Sequence, residues 1–169
     1  MDTVLLLGVV TGMRSMTALA VLCWAAWLGL VPEHGWATWI SYLAAAIVFS
    51  ACALAEYVVD TLPKTPSRTA AVPAMTRFVI GALVGALVAT AVDEPLAGGI
   101  LLGAVGAMIG TWGGYWMRMG LDRMVRHDLP VAVVETASAI VIAVLAVAKL
   151  HRGIVMETQH AQAMLGMLR

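Results

Sequence analysis

The sequence predicts an all-α fold, a polytopic bundle of about five transmembrane helices, and three observations predict it. Hydrophobic residues make up 62% of the 169-residue chain and charged residues only 12%, with a mean hydropathy of +0.92. A soluble domain is about 45–50% apolar and about 25% charged. The apolar residues fall in runs long enough to cross a bilayer, at about 20 residues per helix. Short polar or proline-containing loops separate the runs. This balance excludes disorder, a coiled coil and the ordinary soluble enzyme. Ten basic residues offset ten acidic ones, so no nucleic-acid partner is indicated.

The first apolar stretch is Thr3–Leu30. It exceeds the length of one span and contains Arg14, so it either tilts or breaks near Gly12-Met13-Arg14-Ser15. Only Asp2 lies before the apolar run, where a cleaved signal would carry basic residues, so the stretch is read as a retained helix. After Pro32–Gly35, Trp36 and Trp39 stand where an interfacial aromatic belt would. Ala37–Val59 is the second span, with Glu56 near its end. Residues 60–71 hold Pro63 and Pro66 and read as a loop. Val72–Val92 is the third span, with Arg77 in its first turns, and Asp93-Glu94-Pro95 is a tight turn. Leu96–Met119 is a glycine-rich fourth span. Gly120–Asp128 is a basic loop with Arg123 and Arg126, and Arg118 lies just before it. Leu129–Leu150 is the fifth span, carrying Glu135 in its second turn. Residues 1–150 thus form one transmembrane domain, and 151–169 a polar tail.

Positively charged loops face the cytoplasm. Lys64 and Arg68 follow the second span, and Arg118, Arg123 and Arg126 follow the fourth. Five spans in the cell membrane then place the N-terminus in the cytoplasm and the C-terminus outside. Lys149 and Arg152 run against that rule, and a re-entrant first stretch would change the count.

Glycines recur at helical spacing: Gly8 and Gly12, Gly81 and Gly85, Gly99 and Gly103, then Gly106, Gly110 and Gly114. Lipid offers no hydrophobic drive for helix association, so close backbone approach does that work, and glycine permits it. These faces serve either packing within the bundle or a homo-oligomer interface. Leu6–Met13 also resembles Leu101–Met108. In the five-span topology these two segments run in opposite directions, which would make an inverted repeat, as in many secondary transporters.

An ionisable group at bilayer depth costs roughly 2.5–3.5 kcal/mol on insertion scales. Arg14, Glu56, Arg77 and Glu135 all lie within or at the edge of spans. Asp60 shares a helix face with Glu56, and Asp128 with Glu135. All are expected in the cytoplasmic half of the bilayer. The two cations and two nearby glutamates can lock helices together as salt bridges. Alternatively they line a cavity in which the arginines bind an anion and the carboxylates exchange protons. Lys64 and Arg68 are loop candidates, placed for solvent or lipid headgroups.

Other chemistry finds no motif. Cys23 and Cys52 lie in apolar runs without zinc-ligand spacing. There is no HExxH and no GxSxG, so neither an enzyme, a metal nor a cofactor is expected.

Gly12-Met13-Arg14-Ser15 and the pattern Glu56, Asp60, Pro63, Pro66, Ser67, Arg68 resemble a domain-of-unknown-function family of small multi-pass membrane proteins, mostly bacterial. Arg77 followed by Gly81, Ala82, Gly85 and Ala86, and Asp128 followed by Ala132 and Glu135, extend the likeness over roughly residues 6 to 142. Members usually have a lysine after the loop aspartate and an acidic residue after the late glutamate, where this chain has Thr61 and Thr136. The resemblance implies a membrane location and no assigned activity. From the residues, the reading favoured is a transporter or translocase of a small or lipid-linked anionic substrate. The alternative is a membrane scaffold held by structural salt bridges.

Overall fold

The computed structural model describes residues 1–60, 71–122 and 128–167. Among them every regular element is helical: α1 (Asp2–Met13), α2 (Thr17–Trp27), a 3-10 segment (Gly35–Ser41), α3 (Leu43–Val59), α4 (Ala71–Ala91), α5 (Leu96–Asp122) and α6 (Asp128–Met167). A helix satisfies its own backbone polar groups, which hydrocarbon demands. α4, α5 and α6 are long and apolar enough to cross a bilayer, and the 3-10 segment with α3, bent by 69°, adds a fourth crossing if counted as one. Among the described residues that makes three candidate spans, or four, against the five expected. Residues 151–167, expected as a tail, continue α6 as helix.

The first apolar stretch accounts for the difference. It breaks at Arg14, whose backbone is extended (φ −141°, ψ 105°), although its N–H still bonds Val10 O. α1 and α2 are each too short to span alone. Lys149 Nζ donates to Asp2 Oδ2 at 3.2 Å, and His151 Nδ1 meets Leu30 O at 2.8 Å. The beginning of α1 and the chain just beyond α2 thus reach the same level of α6. Met13, beside the break, instead lies with Glu135 around Gly114, about 21 Å further down α6 at 1.5 Å per residue. α1 and α2 therefore form a helical hairpin with Arg14–Met16 at its tip. The start of α1 thus lies against the Lys149–His151 part of α6. We call this end of the bundle the base end, and the other the tip end.

Glycine sets how closely α1, α5 and α4 pack. A Cβ on Gly8 would stand 2.6 Å from Gly103 O, and one on Gly106 2.5 Å from Leu5 O. On the other face of α5, a Cβ on Gly81 would stand 2.8 Å from Gly103 O. Gly12, Gly85, Gly99 and Gly110 are equally closed by facing backbone. Thr111 Oγ1, which donates to Ala107 O at 2.7 Å, also reaches Gly12 O at 3.4 Å. These glycine faces are thus occupied within the chain. Gly114 differs, since a Cβ there meets Met13 Cγ at 3.6 Å and Glu135 Oε1 at 3.9 Å, ordinary contacts.

The pairing also fixes direction. Gly8 lies by Gly103 and Gly106, and Gly12 by Ala107 and Gly110, so the numbers rise together and α1 runs parallel to α5. Gly81 faces Gly103 while Gly85 faces Gly99, so α4 is antiparallel to α5. The echo between Leu6–Met13 and Leu101–Met108 consequently joins two parallel packing partners, and the inverted relation does not hold for it.

Leu7, Leu19, Leu22, Val84, Leu87 and Ala143 centre the core. Outward faces keep apolar side chains such as Ile47, Leu54, Val79, Leu101 and Leu145 exposed. Trp27, Trp36 and Tyr42 toward the base end and Trp112 and Trp116 toward the tip end are also exposed, the arrangement of two interfacial aromatic belts. The result is an all-helical bundle with helices able to span a membrane.

Candidate functional site

The hairpin tip needs partners because it interrupts a helix inside an apolar bundle. The N–H groups of Ser15 and Met16, in the turn that leads into α2, need acceptors from elsewhere. Glu56, in the last turn of α3, supplies them. Its Oε1 accepts the Ser15 N–H at 2.9 Å and its Oε2 accepts the Met16 N–H at 3.0 Å. A carboxylate at that position is further favoured by the α2 dipole.

One turn later on α3, Asp60 Oδ2 accepts a hydrogen bond from Arg14 Nη1 at 2.6 Å. Arg14 is 1% exposed and Asp60 11%, so this is a largely desolvated, charge-assisted pair of the strong kind. Tyr57 completes the α3 face. Its ring centroid lies 5.1 Å from the Arg14 guanidinium carbon, within cation–π range, and its hydroxyl shares a 2.7 Å hydrogen bond with Thr17 Oγ1. α3 therefore grips the tip with three side chains in succession.

α4 adds the second cation. Arg77 is buried, with Nη2 3.8 Å from Glu56 Oε1 and Nη1 3.4 Å from its own helix's Pro73 O. α6 adds Glu135, 1% exposed, which lies with Met13 beside Gly114. Arg14, Glu56, Asp60 and Arg77 are thus joined, and Glu135 stands next to the same tip. Asp128 opens α6, but its side chain lies outside the described residues, as do Lys64 and Arg68 entirely.

The depth of this cluster follows from helix rise. Arg77 is six residues into α4, Glu135 seven residues into α6, and Gly114 eight residues from the end of α5. Each lies about 9–12 Å inside its helix end. Charge is therefore carried below the tip-end surface but short of the middle of the bundle.

Sequence reasoning did not single out Tyr57, Thr17 or the backbone N–H groups of Ser15 and Met16. Tyr57 had a signal. It is adjacent to Glu56 and three residues before Asp60, hence on their side of the helix. The two amides had none, because they matter only once the helix breaks.

Two cations, two carboxylates and paired backbone donors make an arrangement that can hold an anion or trade one for another. Among the described residues, no group of three or more His, Cys, Asp or Glu is placed to hold a metal ion. Comparisons with protein-family models, curated proteins and solved structures return no match.

Proposed function

We propose that this protein is a small membrane transporter or translocase for an anionic substrate, either a small oxyanion or the anionic headgroup of a lipid. The observation that carries the reading is the convergence of Arg14 and Arg77 with Glu56 and Asp60 at the tip of a broken helix. Discontinuous helices whose ends meet charge inside the bilayer are a recurring substrate and ion site in transporters. Packing alone does not call for such a cluster, since the glycine faces between α1, α5 and α4 already join helices without desolvating charge.

Sidedness belongs to the same proposal. The loops holding Lys64, Arg68, Arg123 and Arg126 connect the tip ends of α3 to α4 and of α5 to α6. The positive-inside rule then turns the tip end to the cytoplasm of a cell membrane. The chain's first residues and the exit of α6 lie outside.

A second reading, a scaffold with structural salt bridges, is favoured by the 2.6 Å closure of Arg14 on Asp60. One experiment separates the two. Purified protein in vesicles is assayed for uptake of labelled phosphate and of small carboxylates, beside Arg77→Gln. Uptake that the substitution abolishes, with the fold retained by circular dichroism, supports transport. Equal flux in protein-bearing and empty vesicles, for water-soluble anions and for a fluorescent anionic lipid alike, rejects it.

A further inference from the structure

Glu56 ties three parts of the molecule at one point, beside the Arg14–Asp60 and Tyr57–Thr17 contacts that also hold the tip. One carboxylate joins α3 to two consecutive amides of the hairpin tip and to the Arg77 guanidinium of α4. The groups near it are Arg77 from α4, Arg14 and the tip amides, Tyr57 and Asp60 from its own helix, and, beside Met13 at Gly114, Glu135 of α6. Its Arg77 contact and its amide contacts are those an incoming oxyanion would also seek.

We propose that Glu56 is a latch, an internal carboxylate that an anionic substrate must displace, so that substrate binding frees the Ser15 and Met16 amides of the hairpin tip from α3 while Arg14 stays anchored on Asp60. This rests on the anion-transport reading and names its regulation. A ligand shifts a conformational equilibrium only through different affinity for the two states. Competition supplies that difference. The anion and the latched Glu56 cannot both take the single N–H donors of Ser15 and Met16, so the anion binds the unlatched form. Released, the tip can pivot at Arg14, whose backbone is extended where α1 ends. The ligand chemistry is an oxyanion, whether free phosphate or a phospholipid headgroup.

The full chain in lipid nanodiscs tests this by hydrogen exchange across residues 12–17, with inorganic phosphate as probe. Glu56→Gln keeps the side chain's size and removes its charge. Its Ser15 and Met16 amides should exchange at least about tenfold faster than in the native chain, since local opening sets exchange. The glycine seam at Gly81 and Gly85 should keep its protection, which reports an intact fold. Phosphate should accelerate tip exchange in the native chain and bind Glu56→Gln about tenfold more tightly, a gain of about 1.4 kcal/mol. Glu135→Gln, with the same charge change but no contact to those amides, should leave tip exchange near native. Nanodiscs containing phosphatidylglycerol, without phosphate, show whether a headgroup is the source.

Unchanged tip exchange in Glu56→Gln overturns the latch, as does equal phosphate affinity in both proteins. If neither phosphate nor phosphatidylglycerol binds either protein, the transport reading fails instead. Should Glu56→Gln fail to fold, the native chain decides alone. Tip exchange unmoved by saturating phosphate and by phosphatidylglycerol then overturns the proposal.

Discussion

Arg14 and Asp60, 46 residues apart in the chain, close to 2.6 Å and fix the tip of the hairpin to the end of α3. Removing one partner leaves the other charge buried. Arg14→Gln or Asp60→Asn alone should therefore destabilise the protein by roughly 3–5 kcal/mol. The double substitution should recover much of that loss, because no unpaired charge remains. Thermal unfolding in detergent, arranged as a double-mutant cycle, measures the coupling. Additive losses in the double variant would show that the pair is not coupled.

Tyr57 carries two separable contributions. Tyr57→Phe loses the hydrogen bond to Thr17 but keeps the ring against Arg14. It should cost about 0.5–1.5 kcal/mol. Tyr57→Leu removes the ring as well and should cost more, by about 0.5–2 kcal/mol for a desolvated cation–π contact. Equal stability of the two variants would assign the ring no part in holding Arg14.

The glycines divide by what faces them. At Gly110 an added Cβ meets Val9 O and the Gly12 Cα, both backbone, whereas at Gly114 it meets Met13 and Glu135 side chains at ordinary distance. Gly110→Ala should cost about 1–3 kcal/mol, as overpacking does. Gly114→Ala should be neutral or stabilising, by up to about 1 kcal/mol from helix propensity. Thermal stability of the two single variants in the same detergent gives the comparison. A destabilised Gly114→Ala with a tolerant Gly110→Ala would reverse the packing described for α5.

How much of this was legible in the sequence depends on the kind of information each feature carries. Composition and the apolar runs are local, and they located α4, α5 and the start of α6 closely, while the helix beyond Leu150 was expected as a tail. The charged residues could be read as a group because desolvation makes any in-span charge seek a partner, and Arg14, Glu56, Asp60 and Arg77 do meet. Which carboxylate takes which arginine was not legible. Arg14 chose Asp60, at the helix end, over Glu56, because Glu56 is needed by the tip amides. The direction of α1 was misjudged for a related reason. A break at Gly12–Ser15 was visible in the sequence, but the angle across it was not. That angle is set by long-range contacts, with Asp2 reaching Lys149 and Leu30 reaching His151. Once it changes, the start of α1 comes to lie against Lys149 of α6, and the echo of Leu6–Met13 in Leu101–Met108 turns from inverted to parallel.

That reversal can be checked without a new structure. A single straight span over Thr3–Leu30 would put residue 2 and residue 34 on opposite faces of the membrane. The hairpin puts both at the base end, where Asp2 meets Lys149 and His34 meets Asp93 at 3.1 Å. Single cysteines at Asp2, His34 and Ser67, in a background with Cys23 and Cys52 replaced by serine and alanine, can be labelled in intact cells with a membrane-impermeant maleimide. Positions 2 and 34 should react together, and position 67, in the loop between the tip ends of α3 and α4, should react only after permeabilisation. The positive-inside rule fixes which pair is outside, but the hairpin itself predicts only that 2 and 34 behave alike. Labelling of 34 without 2, both being reactive in permeabilised cells, would restore the straight span. It would also separate the α1 end of the tip from Glu56, and the latch would go with it.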